Sequence, residues 1–340
     1  MTTLLTPAVV VALGLVSVVA GRVLQYHASF ETYVHSYGKS YADDEERAVR
    51  YDLFVENLAR IQEINARNER DGRSWKAGIG PFTDWSVDEW RTTRVSPQIG
   101  QKCSATAKLT RDSPPAPMAS GGIPAEIDWR DFNVLTPVKN QRSCGSCWTF
   151  STTGCLEAHH AIKTGTVVSL SEQNLVDCAM SFENNGCNGG LPSHAYEYIF
   201  YNGGIESEDD YPYLGITDTC HFDKSKVSVT VKGVHNITEG AEHEIEIAVG
   251  TVGPVSIAYD CADDFMHYSE GIYSSDTCAK TSDQVNHAVV AVGYGVSADG
   301  EPYWIVKNSW STEWGEDGYF RIRRGHNECG LAQCASYPLV

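Results

Sequence analysis

The sequence predicts an α+β fold: a helical lobe packed against a β-barrel-like lobe with a cleft between them, preceded by a separate helical segment. Three observations carry this. Apolar residues recur at helical spacing in Cys147 to Lys163 and Leu191 to Asn202, in the first half of the body. The second half alternates strand-like runs (Val255 to Tyr259, Val285 to Val292, Tyr303 to Val306, Gly318 to Ile322) with glycine turns. Upstream, Glu46, Arg50, Phe54, Asn57, Ile61 and Asn65 are spaced by fours and one three, which puts them on one stripe of a long helix.

Taken in order, the chain opens with an uncharged apolar run, Ala8 to Ala20, followed by Gly21-Arg22, with Val18 and Ala20 small enough for cleavage. Residues 1–21 read as a signal peptide. The competing reading is a membrane anchor, because the run from Leu4 approaches a short span and lacks a basic leader; the cysteine-rich body behind it favours export and removal, with no stable membrane insertion afterwards. Residues 22–96 form the helical segment. Residues 97–122 are a linker containing Ser113-Pro114-Pro115-Ala116-Pro117, a composition that is exposed and open to proteases. The body occupies 123–340, starting at Ile123-Pro124-Ala125-Glu126-Ile127-Asp128-Trp129-Arg130.

Composition sets outer limits. A chain of 340 residues with 42% hydrophobic content buries a substantial core, and it carries no second long apolar run. Its formal net charge of −18 argues against any sequence-independent hold on nucleic acid or anionic lipid, both of which need a basic face. Eleven cysteines, an odd number, suit pairs plus a reactive thiol. His159 and His160 follow Glu157, but no HExxH or comparable ligand spacing occurs, so neither a metal nor a cofactor is expected.

The chemistry concentrates at Gln141-Arg142-Ser143-Cys144-Gly145-Ser146-Cys147-Trp148. Glycine and serine make a turn, and Cys147 stands where the helical spacing begins. A thiol at a helix N-terminus meets unpaired N–H groups and the positive end of the dipole, which favour thiolate. Such a nucleophile needs a base. His287 and Asn308 lie about 140 and 160 residues downstream, close to the separation at which cysteine proteases place a histidine and an asparagine. Taken singly, a cysteine opening a helix is more often buried or bridged, and a histidine amid Ala288 and Val289 more often a satisfied core residue. Four positions matched in order within three separate strings outweigh that reading.

These strings resemble the papain family of cysteine proteases, over the chain from about Glu46 onward. The resemblance implies a papain-like two-lobed fold with Cys147, His287 and Asn308 catalytic. It further implies Gln141 as the side-chain oxyanion donor, Trp310 as a shield over the Asn–His hydrogen bond, and Gly189 and Gly190 as the substrate-binding cleft wall. Disulfides Cys144–Cys187, Cys178–Cys220 and Cys278–Cys329 are implied in the same way. The Glu46-to-Asn65 stripe resembles the prodomain motif of the cathepsin L and H branch. Gly78-Ile79-Gly80-Pro81-Phe82-Thr83-Asp84 resembles the second prodomain motif, with Gly80 where asparagine is usual. A self-inhibited zymogen is therefore expected.

Two cysteines point to the cathepsin H branch: Cys103 in Cys103-Ser104-Ala105-Thr106, and Cys334 near the C-terminus. The resemblance implies a retained mini-chain, bonded Cys103 to Cys334, whose Thr106 carboxylate meets the free amino group of the substrate. The stretch 97–102 before Cys103 is longer than that branch's usual approach. The loop from Ala279 to Asn286 and the sequon Asn236-Ile237-Thr238, a glycosylation acceptor, are similar to that branch. The leading expectation is an aminopeptidase with some endopeptidase activity; the alternatives are a cathepsin L-like endopeptidase without the mini-chain and, more remotely, a non-catalytic papain-fold binding protein. Its partners would be peptide and protein substrates, its own propeptide and cystatin-type inhibitors. The expected address is the secretory pathway, ending in a lysosome or equivalent acidic compartment, or outside the cell. Cys155 and Cys261 have no assigned partner and read either as a bridge or as buried thiols.

Overall fold

The computed structural model describes residues 26–95 and 122–340. The upstream segment begins with α1 (residues 26–36) and α2 (Asp44–Arg70), whose first turn is capped by the Asp43 carboxylate on the Glu46 amide and carries Asp44, Glu45 and Glu46 against the helix dipole. The helix extends the expected stripe at both ends. Phe54, Asn57 and Ile61 are buried along it, and Phe54 joins Phe30 and Tyr33 in a small aromatic core. Strand β1 (Lys76–Ala77) and α3 (Val87–Arg94), capped by Ser86 on Glu89, complete the segment.

Asp84 organises this segment. Its buried carboxylate accepts from Tyr33 Oη (2.6 Å), Lys39 Nζ (2.8 Å) and Tyr41 Oη (2.9 Å). Arg50, from the α2 stripe, reaches both carboxylate oxygens of Glu89 in α3 at 2.6 and 2.9 Å. Asn57 Nδ2 donates to the carbonyls of Thr83 and Trp85. The polar half of the stripe therefore holds the loop before α3. Gly80, the departure from the expected motif, sits in a turn closed by Thr83 Oγ1, with no heavy atom within 4 Å of where a Cβ would stand. The departure is accommodated there.

In the body, β2 (Ile127–Asp128) precedes the helical lobe of α4 (Cys147–Thr164), α5 (Glu172–Cys178) and α6 (Pro192–Asn202). The strands β3 (Ile205–Glu206) and β4 (Val227–Val229) pair with each other. The second lobe contains β5 (Gly233–Asn236), α7 (Glu242–Thr251), β6 (Val255–Tyr259), β7 (Tyr268–Glu270) and β8 (Ile272–Tyr273). It closes with β9 (His287–Val296), β10 (Pro302–Lys307), β11 (Tyr319–Arg323) and β12 (Ser336–Leu339). An eight-stranded sheet runs β5-β12-β6-β9-β10-β11-β8, with β2 added to β9, and is antiparallel except for β8 and β11.

Helix α4 lies against β9. Small side chains permit the close approach: Ser151 Oγ donates to Val289 O at 2.8 Å, and a Cβ on Gly154 would stand 3.4 Å from Val290. The helix ends at Gly165, whose positive φ of 73° suits glycine. The two ends of the strand-like run 285–292 are corrected: pairing starts only at His287, because Asn286 turns its side chain to Cys261 and Asp260, and it continues to Val296 opposite Pro302. The upstream segment joins the body as a strand, since β1 pairs antiparallel with β7.

Candidate active site

Antiparallel pairing of β9 and β10 brings the start of one strand beside the end of the other, so His287 and Asn308 meet although 21 positions apart. His287 Nε2 lies 2.9 Å from Asn308 Oδ1, which also accepts from the Ser309 amide at 2.8 Å. An oxygen that accepts twice fixes the histidine tautomer: Nε2 carries the hydrogen, and Nδ1 keeps its lone pair. Nδ1 has no hydrogen-bond partner. Cys147 opens α4, and the amide of Ala288, the residue after His287, donates to Cys147 Sγ at 3.4 Å. Burial pushes the imidazole pKa down to about 4, against the raising effect of Asn308.

Trp310 stacks on His287 with centroids 4.7 Å apart. Its position follows from a bridge between Asn140 and Trp310, and Gln141 N donates to Ser309 O at 2.9 Å, so the strings before Cys147 and after Asn308 are tied together. The Gln141 side chain is oriented by two donors on Oε1: Ser309 Oγ at 2.8 Å and Trp310 Nε1 at 3.1 Å. Its Nε2 consequently faces the cleft, donating to Cys144 O at 2.9 Å and to Arg94 O at 3.1 Å. Arg94 is the last residue of α3, so the upstream segment already supplies a carbonyl to this donor.

The upstream segment covers the site further with aromatic rings. Trp90 and Phe82 meet Trp310 edge-on at 5.6 and 5.8 Å, and Arg94 lies over Phe82 and Trp85. Each such aromatic pair contributes about 0.5–1.5 kcal/mol beyond burial. Trp75 Nε1 donates to Ser274 O at 3.1 Å, anchoring the segment beside β8.

The cleft-wall glycines separate in role. Gly189 has both backbone groups engaged, its amide to Gly186 O and its carbonyl to the Asn185 amide. Gly190 has no room for a side chain: a Cβ there would stand 2.5 Å from Asn184 Oδ1 and 2.7 Å from Trp148. Disulfides between described residues join Cys144 to Cys187, Cys178 to Cys220 and Cys278 to Cys329. Cys147, Cys155 and Cys261 are buried thiols outside any disulfide, so no bridge joins Cys155 to Cys261; Cys155 Sγ instead donates to Pro254 O at 3.1 Å. Cys334 is disulfide-bonded, whereas Cys103, its expected partner, and Thr106 lie outside the described residues. Asn236 is half-buried at the end of β5, opposite Ser336. The signal-peptide and linker assignments also fall outside the described residues; among those described, no helix is long and apolar enough to cross a membrane.

Sequence reading missed several positioning groups. Ser309 is one, and its place between Asn308 and Trp310 was the available signal. Tyr213 is another: its hydroxyl donates to Gln141 O at 2.7 Å and lies 2.6 Å from Ser146 Oγ. No local pattern marks Tyr213, because the contact spans 72 positions.

Comparison with known proteins shows the family. The papain family cysteine protease pattern matches residues 123–339, and the cathepsin propeptide inhibitor domain matches residues 30–90. The chain belongs to the papain family of cysteine proteases and is a cysteine peptidase precursor carrying its own inhibitor domain. It is 49% identical over 311 residues to cysteine proteinase 2 of Zea mays, covering 92% of this chain and 84% of that protein. It is 47% identical over 312 residues to pro-cathepsin H of Mus musculus, covering 91% and 90% respectively. Among solved structures, the digestive procathepsin L 3 of Tenebrio molitor larval midgut is similar, at TM-score 0.82 and 37% identity, covering 93% of this chain and 99% of that one.

Proposed function

We propose that Cys147, His287 and Asn308 carry peptide-bond hydrolysis and that the mature enzyme acts mainly as an aminopeptidase with some endopeptidase activity. The observation that carries the catalytic part is the tautomer held by Asn308, which leaves His287 Nδ1 as the base beside Cys147. In the first step Nδ1 takes the thiol proton, and the sulfur adds to the scissile carbonyl carbon. The resulting oxyanion is met by Gln141 Nε2 and the Cys147 amide. The imidazolium returns the proton to the leaving amine, the C–N bond breaks, and a thioester remains. Water, deprotonated by His287, then releases the acid and restores the thiol. Trp310 keeps bulk water from the Asn308–His287 bond, and the backbone of Gly190 pairs with the acyl part of the substrate as an added strand.

The aminopeptidase part is supported by Cys334, which is disulfide-bonded although none of the three described pairs includes it, and by 47% identity to a pro-cathepsin H. In this reading Cys103 is its partner, and a mini-chain ending at Thr106 closes the acyl end of the cleft. The block rejects longer chains, and the terminal carboxylate pairs with the substrate ammonium. Likeness to a procathepsin L favours the second reading, an open-cleft endopeptidase. Cys103→Ser distinguishes them. In the first reading, aminopeptidase activity falls and cleavage of N-terminally blocked peptides rises; if the wild type prefers blocked peptides and the substitution changes nothing, the second holds. Three disulfides in the body support an oxidising secretory route, with cystatin-type inhibitors as further partners and Asn236 as a glycan acceptor.

A further inference from the structure

The propeptide meets the body through more than aromatic rings. Two of its arginines form ion pairs with consecutive carboxylates of the body. Arg67 Nη2 lies 2.6 Å from Asp264 Oδ2, and Arg91 Nη2 lies 2.6 Å from Asp263 Oδ1, with its Nε at 2.7 Å from the same oxygen. Asp264 is a built acceptor: it is only 8% exposed, and the fully buried Tyr273 donates to its Oδ1 at 2.7 Å, leaving Oδ2 aimed at the arginine. Asp260, by contrast, is already satisfied by the Ala279 amide and Asn286 Nδ2.

The side of the cleft follows from the chemistry. The general acid must reach the leaving nitrogen, so the structure flanking His287 borders the part of the substrate that departs first. Asn286 precedes His287 and fastens the acidic loop to it: its Oδ1 accepts from the Cys261 amide at 2.7 Å, and its Nδ2 donates to Asp260 at 2.9 Å. A cavity of about 1000 Å³ lies there, lined in part by Arg67, Arg91, Cys261, Asp263, Asp264 and Asn286. When the propeptide leaves, both arginines go with it. Asp264 then keeps the Tyr273 hydroxyl on Oδ1, while Oδ2, covered by Arg67 in the precursor, is deprived of its cation, an arrangement that favours a replacement.

We propose that Asp263 and Asp264 form a cation-binding subsite on the leaving-group side of the cleft, filled by Arg91 and Arg67 in the precursor and by lysine or arginine side chains of the substrate in the mature peptidase. This rests on the peptidase reading above and adds a substrate class to it.

The test uses unblocked peptides with one acyl end and Lys, Arg, Leu or Glu placed in turn at each of the three positions after the scissile bond. Cleavage by the mature wild type is compared with Asp263→Asn, Asp263→Lys and Asp264→Asn. The expected result is a preference for Lys or Arg over Leu of roughly 3- to 10-fold in kcat/KM at one of these positions, the scale of a partly exposed ion pair. Glu should be disfavoured, and the preference should shrink as salt rises. Asp263→Asn brings the ratio toward one, and Asp263→Lys turns it toward Glu. Binding of the same Lys and Glu peptides to mature Cys147→Ala, followed by fluorescence anisotropy, repeats the comparison without turnover. Absence of cleavage with retained Lys preference in binding would count against the peptidase reading alone. Equal handling of Lys, Leu and Glu by the wild type, or a ratio unchanged in both Asp263 variants, overturns the subsite.

Discussion

Gln141 Nε2 donates to the main-chain carbonyl of Arg94 at 3.1 Å, so the propeptide presents a carbonyl to the group assigned to the reaction's oxyanion. In the proposed mechanism, inhibition and transition-state stabilisation share this one donor. Gln141→Ala should lower kcat of the mature enzyme about 100- to 1000-fold, as removal of one oxyanion donor does elsewhere. It should also weaken inhibition by added propeptide. Steady-state kinetics check both, and a change confined to KM would remove Gln141 from the oxyanion role.

Cys147→Ala should abolish peptidase activity and labelling by a thiol-directed epoxide while the precursor stays folded, because the side chain contributes chemistry rather than volume at the head of α4. The wild-type mature enzyme should show a bell-shaped pH profile, limited by thiol formation in acid and by loss of the histidine proton in alkali. Residual turnover in the variant at the wild-type rate would exclude this nucleophile.

Asp84 holds three donors, Tyr33 from α1 and Lys39 and Tyr41 from the loop between α1 and α2, on one buried carboxylate. Asp84→Ala leaves Tyr33 and Lys39 only the Pro81 carbonyl and removes the anion opposite Lys39, and breaking such a buried charged network costs about 3–5 kcal/mol. The precursor should express poorly, or its propeptide should melt separately by circular dichroism. A melting curve identical to wild type would show that the aromatic core alone sustains the segment.

The pH response of the precursor follows from its buried histidines. His159, His267 and His287 are each pushed from 6.5 to about 4 by desolvation. A depressed histidine binds fewer protons folded than unfolded, so these contributions are complete above pH 6.5 and are lost as pH falls toward 4. Glu172, raised to about 7 by burial, acts in the opposite sense, as do Glu206, Glu208 and Asp260, which burial also raises, whereas His194 and His235, lowered by burial, act with the three histidines. His267 also feels the positive charge of Arg60 from α2, so its protonation sets two cations against each other across the propeptide contact. Melting temperature of the Cys147→Ala precursor should fall between pH 6.5 and 4. A rise across that window would reverse the assignment.

The proposed nucleophile Cys147, base His287, orienting Asn308 and oxyanion donor Gln141 could each be named from the sequence because each sits in a compact local string; the structure places His287 against Asn308 and the Ala288 amide on Cys147 Sγ. The stripe from Glu46 to Asn65 was legible because helical periodicity is a property of neighbours along the chain. The ends of β9 were not, since pairing there depends on what Asn286 and Pro302 meet across the sheet.

What the sequence determined by itself is therefore the family, the candidate reacting groups and the helical and strand periods that carry them. The tertiary structure alone decided the rest: that Asn308 leaves Nδ1 of His287 bare, that Tyr213 braces Gln141 across 72 positions, that Cys155 and Cys261 stay apart, and that Arg67 and Arg91 find Asp264 and Asp263. The reason is range. A motif or a period is written within a few residues, whereas a tautomer, a shared donor or an ion pair depends on atoms a few ångström apart in space and tens to hundreds of positions apart in the chain.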